Sequence, residues 1–184
     1  MSGTTKQRLI ILIAIIIAAA LSAAIFAVLY YSGVLLPKWA GWNEVTIEPG
    51  NKDIERIVLK NRKVRAYKDG KCIFTSPKGC RVQDAIYTDI DRDGEEELIL
   101  LNFKIGRYGE HRPFWVKRNE LKWFQHIYIY DYVGAEGYFR PIWMASDIGM
   151  DAASFRFDDG VLSITDTKGE VTKWIWRTWG LEKL

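Results

Sequence analysis

Residues 89–100 read Asp89-Ile90-Asp91-Arg92-Asp93-Gly94-Glu95-Glu96-Glu97-Leu98-Ile99-Leu100. With Asp89 as position one, Asp89, Asp91, Asp93 and Glu97 put carboxylates at the first, third, fifth and ninth positions, and Glu95 offers its backbone carbonyl at the seventh. A tight loop turns such alternate oxygens inward, and an oxygen-only donor set suits Ca2+, which takes six to eight ligands and accepts water to complete its shell. Gly94 gives the backbone freedom to turn at the sixth position. An EF-hand would need a bidentate Glu at the twelfth position, where Leu100 stands, and helices where this loop has strand-like flanks. The competing reading is a solvated acidic turn whose repulsion is eased by Arg92 and nearby basic residues. Either way the stretch is a hairpin loop between strands.

Working outward, strand patterns extend to both sides. Before the loop they cover 55–59, 63–67, 72–75 and 82–88; after it they cover 97–102, 126–132, 138–145, 153–157, 162–165 and 171–178. Asn61-Arg62, Asp69-Gly70, Asp159-Gly160 and Lys168-Gly169 supply the turns. No stretch beyond residue 40 carries a sustained helical apolar stripe with convincing ends. Residues 126–132 and 174–179 alternate so that large rings gather on one sheet face, where they suit packing between sheets. A faint internal echo relates 64–91 to 127–160, which predicts two related sheet units separated by an insert at 104–125.

The acidic loop and the strand after it resemble the FG-GAP/VCBS family of calcium-binding β-propeller repeats. The stretch Ala66-Tyr67-Lys68-Asp69-Gly70-Lys71 is similar to the hairpin found earlier in such a blade. The clear resemblance covers about 40 residues and departs from the family pattern by having Glu97 in place of the commoner Asp. It implies Asp89, Asp91, Asp93, Glu95 and Glu97 as the Ca2+ set, and a scaffold or binding surface more readily than catalysis. The second unit keeps Asp158 and Asp159 without the alternating set, so it is a poor calcium candidate. A propeller has at least four blades, more than this length comfortably holds. The expected fold is therefore all-β, with antiparallel blade-like sheets resembling a partial β-propeller, completed by an oligomer or partner and preceded by one transmembrane helix.

That helix is read from residues 9–36, which carry no charge and are rich in Ile, Leu, Ala and Val. At 1.5 Å per residue the stretch reaches about 42 Å, against a hydrocarbon core of about 30 Å. Tyr30, Tyr31 and Trp39 suit the headgroup layer, and Lys6 and Arg8 before the segment favour a cytoplasmic N-terminus. A cleaved signal peptide, with its small-residue site at Ala18-Ala19-Ala20, is the competing reading; apolar character resumes through Ile25, Phe26, Val28 and Leu29, as an uncleaved anchor requires. The expected organisation is a tail at 1–8, an anchor at 9–36, a juxtamembrane connector at 37–50 leading into a Pro49-Gly50-Asn51 turn, and an extracytoplasmic β domain at 51–184.

The net charge is +3, of which Lys6 and Arg8 carry two, so the β part is nearly neutral and offers no coherent basic face for nucleic acid. Cys72 and Cys80, the two cysteines, are spaced for a small disulfide loop in an oxidising compartment, with two separate thiols as the alternative. His111, beside Glu110 and before Phe114-Trp115, lies in the insert, the best place for a binding loop; an acid/base pair there has no assignable nucleophile. His126 begins a strand, where a structural hydrogen bond is the simpler role. Asp147, Asp151, Asp158 and Asp159 are turn acids that would form a cleft only if their loops converged. Trp115, Trp123, Trp143, Trp174, Trp176 and Trp179 leave glycan binding open. The function these features imply is a membrane-anchored, calcium-stabilised, noncatalytic interaction or envelope-associated module, with an extracytoplasmic protein or cell-envelope glycan as partner; a glycan-binding module or a hydrolase using His111 and loop carboxylates is the alternative.

Overall fold

The structure is a computed structural model that describes residues 3–50, 53–109 and 111–184. Asn51 of the expected turn and Glu110 of the expected acid/base pair lie outside the described residues. The chain divides into two compact units, Met1–Pro37 and Lys38–Leu184.

The first unit is one helix, α1 (Gly3–Ser32), apolar on every face and long enough to cross a bilayer by length and composition. It differs from the expected 9–36 at both ends. It starts earlier, taking in Lys6 and Arg8, and it stops at Ser32 because Gly33 adopts a left-handed φ of 81°. The Gly33 amide then donates to the Tyr30 carbonyl at 3.0 Å and the Val34 amide to the Leu29 carbonyl at 3.1 Å, the paired bonds of a Schellman motif.

The second unit contains three four-stranded antiparallel sheets, each a meander of consecutive strands. The first sheet holds β1 (Val45–Ile47), β2 (Arg56–Lys60), β3 (Lys63–Lys68) and β4 (Lys71–Thr75). The second holds β5 (Arg81–Thr88), β6 (Glu97–Ile105), β7 (Trp123–Val133) and β8 (Tyr138–Met144). The third holds β9 (Ala152–Asp158), β10 (Val161–Asp166), β11 (Val171–Arg177) and β12 (Gly180–Lys183). Two-residue turns join β2 to β3, β3 to β4 and β9 to β10, with positive φ at both turn residues: Asn61 and Arg62, Asp69 and Gly70, Asp159 and Gly160. Those are the hairpin turns whose twist matches the strands. Arg62 holds its uncommon conformation with its guanidinium 3.9 Å from the Trp42 ring centre.

The second sheet is the middle layer, and period-two alternation explains why. Leu98 and Leu100 of β6, with Tyr128, Tyr130 and Tyr132 of β7, pack with Ile57, Leu59, Val64 and Ala66 of the first sheet. Their sequence neighbours Ile99, Leu101, Ile127 and Ile129 pack with Phe155, Leu162 and Ile164 of the third. A sheet covered on both sides has no polar face, which is why residues 97–103 are all buried. Gln83 and Gln125 add a buried polar joint to β9: the Gln125 side chain accepts from the Ala152 amide at 2.7 Å and donates to the Ala152 carbonyl at 2.8 Å, while Gln83 donates to the Ala153 carbonyl at 2.9 Å.

Four expectations need correction. The echo predicts two sheet units, and three are present. The connector assigned to 37–50 contains β1, which pairs Thr46 with Val58 and so belongs to the first sheet. The insert is shorter than 104–125, because Lys104 still pairs with Phe124 and Ile105 with Trp123; it runs over 106–122. No disulfide forms: Cys72 lies exposed on β4, whereas Cys80 is 1 % exposed in the core between the first two sheets. Burial pushes the Cys80 thiol up to about 11, which leaves it inert at neutral pH.

Candidate metal centre

The acidic loop leaves the end of β5 at Thr88 and returns to the start of β6 at Glu97. Its backbone folds around its own carboxylates. The Asp89 carboxylate accepts from the Asp93 amide at 3.1 Å and the Gly94 amide at 3.0 Å, and Asp93 accepts from the Glu95 amide at 2.8 Å. Gly94 takes a φ of 95°, and Arg92 one of 66°. Ile90 is buried against the third sheet, fixing the loop's base, and its amide donates to Glu97 at 2.9 Å.

These constraints bring carboxylate oxygens of Asp89, Asp91 and Glu97 within 4.8 Å of one another. Three carboxylate oxygens this close are within reach of a single metal ion. Asp93 lies in the same loop and lines the same cavity as Asp91 and Glu97, though it is outside the tightest group. Glu95 has an exposed side chain.

The electrostatics favour a cation. Glu97 is 2 % exposed, and lost hydration, with repulsion from Asp91, Asp93 and Asp89, pushes its carboxyl up to about 8 against the pull of the Ile90 amide. Burial, then the charge of Asp93, also raises Asp91. Arg92 does not neutralise this group. Its guanidinium donates to the Asp159 carbonyl at 2.9 Å, crossing to the β9–β10 turn, and lies where a Cβ on Gly160 would sit. Asp131, whose charge also raises Asp91, is paired with Arg140.

A cavity of about 300 Å³ opens beside the loop, and its lining joins Asp91, Asp93 and Glu97 to the Asp131–Arg140 pair and to Trp176 and Trp179. Trp179, at the β11–β12 turn, is 78 % exposed. Trp174 and Trp176 instead pack against the core between the second and third sheets, as does Trp143, and Trp123 is half-buried. The alternation of 174–179 shows the packing role; the exposure of Trp179 follows from the hairpin turn, which no periodicity reveals.

The remaining sequence candidates do not converge. His111 lines a cavity with Gly109, Pro141, Ile142, Trp143, Met144 and Ser146, with no carboxylate among the described residues. Asp147 accepts from the Gly149 amide at 3.1 Å, a turn role. His126 is buried with Nδ1 3.0 Å from the Ala145 carbonyl and Nε2 3.0 Å from the Gly106 carbonyl, a structural role at the base of the insert; burial lowers its pKa, and a neutral ring donates to only one of the two carbonyls. No protein-family model, curated protein or solved structure matches this chain.

Proposed function

We propose that the chain is a single-pass membrane protein, N-terminus cytoplasmic and β unit extracytoplasmic, that acts as a noncatalytic interaction or envelope-associated module organised by one Ca2+ at the 89–97 loop. The convergence of Asp89, Asp91 and the buried Glu97 within 4.8 Å, with Arg92 turned away, carries this reading. Calcium would supply positive charge among the carboxylates, from which Arg92 is turned away, and hold the β5–β6 loop in one conformation. Each sheet is a four-stranded meander like a propeller blade, which supports kinship with FG-GAP/VCBS repeats and a partial propeller. Lys6 and Arg8 ahead of the apolar stretch support the orientation. Titrating calcium into the full-length chain in detergent micelles, with thermal unfolding in calcium and in chelator, tests the proposal. Saturable binding of one ion with a raised Tm supports it; an unchanged Tm and no binding refute it.

A second reading has one observation in its favour. The cavity that joins Asp91, Asp93 and Glu97 to the exposed Trp179 gives a sugar ring a stacking surface beside a bound cation. Calcium-dependent retention on cell-envelope polysaccharide, lost in Trp179→Ala with calcium affinity unchanged, distinguishes this ligand from a protein partner.

A further inference from the structure

The insert at 106–122 contains five basic and two acidic residues and places an aromatic pair at its tip. The tip is built. The Val116 amide donates to the Pro113 carbonyl at 3.0 Å, and Arg112 donates to the Lys117 carbonyl at 2.7 Å, closing the neck beneath Phe114 and Trp115. Those two rings meet edge to face, 4.9 Å between centres, and are 94 % and 70 % exposed. At the base, Lys104 donates to the Tyr108 carbonyl at 2.8 Å, and Arg107 pairs with Glu120 at 3.2 Å. Arg112, Lys117, Arg118 and Lys122 are exposed, and none pairs with a carboxylate among the described residues.

The position of this loop matters as much as its composition. The unit Lys38–Leu184 begins at the same end of β6 from which the insert leaves: Trp39 and Trp42 pack on Phe103, with ring centres 6.2 and 5.5 Å away, three residues before Gly106. Arg81 pairs with Phe103 in the sheet and lies 5.8 Å from the Trp123 ring centre, adding a cation to this end. Lys38 follows Ser32, the last residue of α1, by six positions, which a fully extended chain spans in at most about 22 Å.

We propose that the 106–122 insert is a membrane-contact loop, in which Phe114 and Trp115 seat in the headgroup layer of an anionic bilayer and Arg112, Lys117, Arg118 and Lys122 meet lipid phosphates. Amphipathic rings favour that layer, and juxtamembrane cations are drawn to anionic lipid. Exposed aromatic rings and four exposed cations in one loop suit an anionic bilayer surface, and the apolar helix keeps a bilayer within tether length. The inference rests on the reading of α1 as a membrane anchor.

The test uses the full-length chain reconstituted in vesicles of brominated phosphatidylcholine, with and without phosphatidylglycerol. Bromine quenches indole emission in contact with lipid. The wild type should lose more emission than Trp115→Phe in the mixed vesicles, with a smaller difference in phosphatidylcholine alone. Lys117→Glu/Arg118→Glu, which keeps Trp115, should weaken lipid partitioning of the tip by about fivefold for each cation lost, since each contributes about 1 kcal/mol near an anionic surface. Alkaline carbonate extraction reads the anchor separately: a chain released from the vesicles overturns both readings. A chain retained in the membrane whose wild-type and Trp115→Phe emissions are quenched equally overturns the contact loop alone, as does protection of Trp115 by an acidic protein or glycan without lipid quenching.

Discussion

The two loops at opposite ends of β6 solve opposite problems. The 89–97 loop folds its backbone amides onto its own carboxylates and sends its cation, Arg92, to a neighbouring sheet, so its charge points inward. The 106–122 insert closes its neck with an arginine and leaves Phe114 and Trp115 exposed among five basic residues of the same loop. Nine residues of strand, seven of them buried, separate them by roughly 26 Å over eight steps of about 3.3 Å. One end of the strand is built to concentrate negative charge, and the other to present apolar and positive surface beside the point where the unit begins. A short loop anchored by a buried residue at each end can hold like charges together, whereas a longer loop with few core contacts can only display its residues.

The shared strand is where the comparison breaks hardest. Leu100→Ala removes a fully buried side chain from the core between the first two sheets and should cost about 2–5 kcal/mol. Chemical denaturation should show both ends lost in one transition; separate transitions would mean that the loops belong to independently stable pieces. Asp89→Asn should weaken calcium binding at least about a hundredfold, since loss even of a residue supporting a metal ligand costs 10–100-fold. The same substitution should leave the emission of Trp115 unchanged, which calorimetry and fluorescence check together.

pH sharpens the contrast. In the metal-free chain Glu97 has a folded pKa of about 8, raised from 4.5, so its contribution to stability is fully present below about pH 4.5 and is lost as pH rises through about 8. Melting of the chelated protein should therefore show Tm falling from pH 5 to pH 8.5. Glu97→Gln should flatten that trend, and calcium should reverse it because the ion competes with the proton. The smallest effect belongs to the insert: Phe114→Ser should change folding stability by no more than about 0.5 kcal/mol, because that ring is almost fully exposed.

Much of this architecture was legible in residue order, and what escaped it was short or non-local. Ten strands announce themselves by alternation, and the Asn61-Arg62, Asp69-Gly70 and Asp159-Gly160 turns by local chemistry. β1 is hidden because three residues show too little periodicity, and β12 because Gly180-Leu181-Glu182-Lys183 is short and follows a tight turn at Thr178. With those edges missing, the echo suggests two sheets instead of three. The acid spacing points to Asp89, Asp91, Asp93, Glu95 and Glu97, of which the tightest group holds Asp89, Asp91 and Glu97, yet nothing local shows that Arg92 docks on Asp159, 67 residues away. Cys72 and Cys80 mislead because spacing measures chain length, while burial separates an exposed strand residue from a core one.

Calcium titration of the full-length wild-type chain beside Glu97→Gln at pH 7.5 tests most directly whether the 89–97 loop holds an ion. A calcium-organised loop gives saturable binding of one ion per chain with a rise in Tm for the wild type, worth about 2.7 kcal/mol when calcium is a hundredfold above Kd, and little of either in the variant. Equal titrations for the two proteins, or identical melting of the wild type in calcium and in chelator, would contradict it.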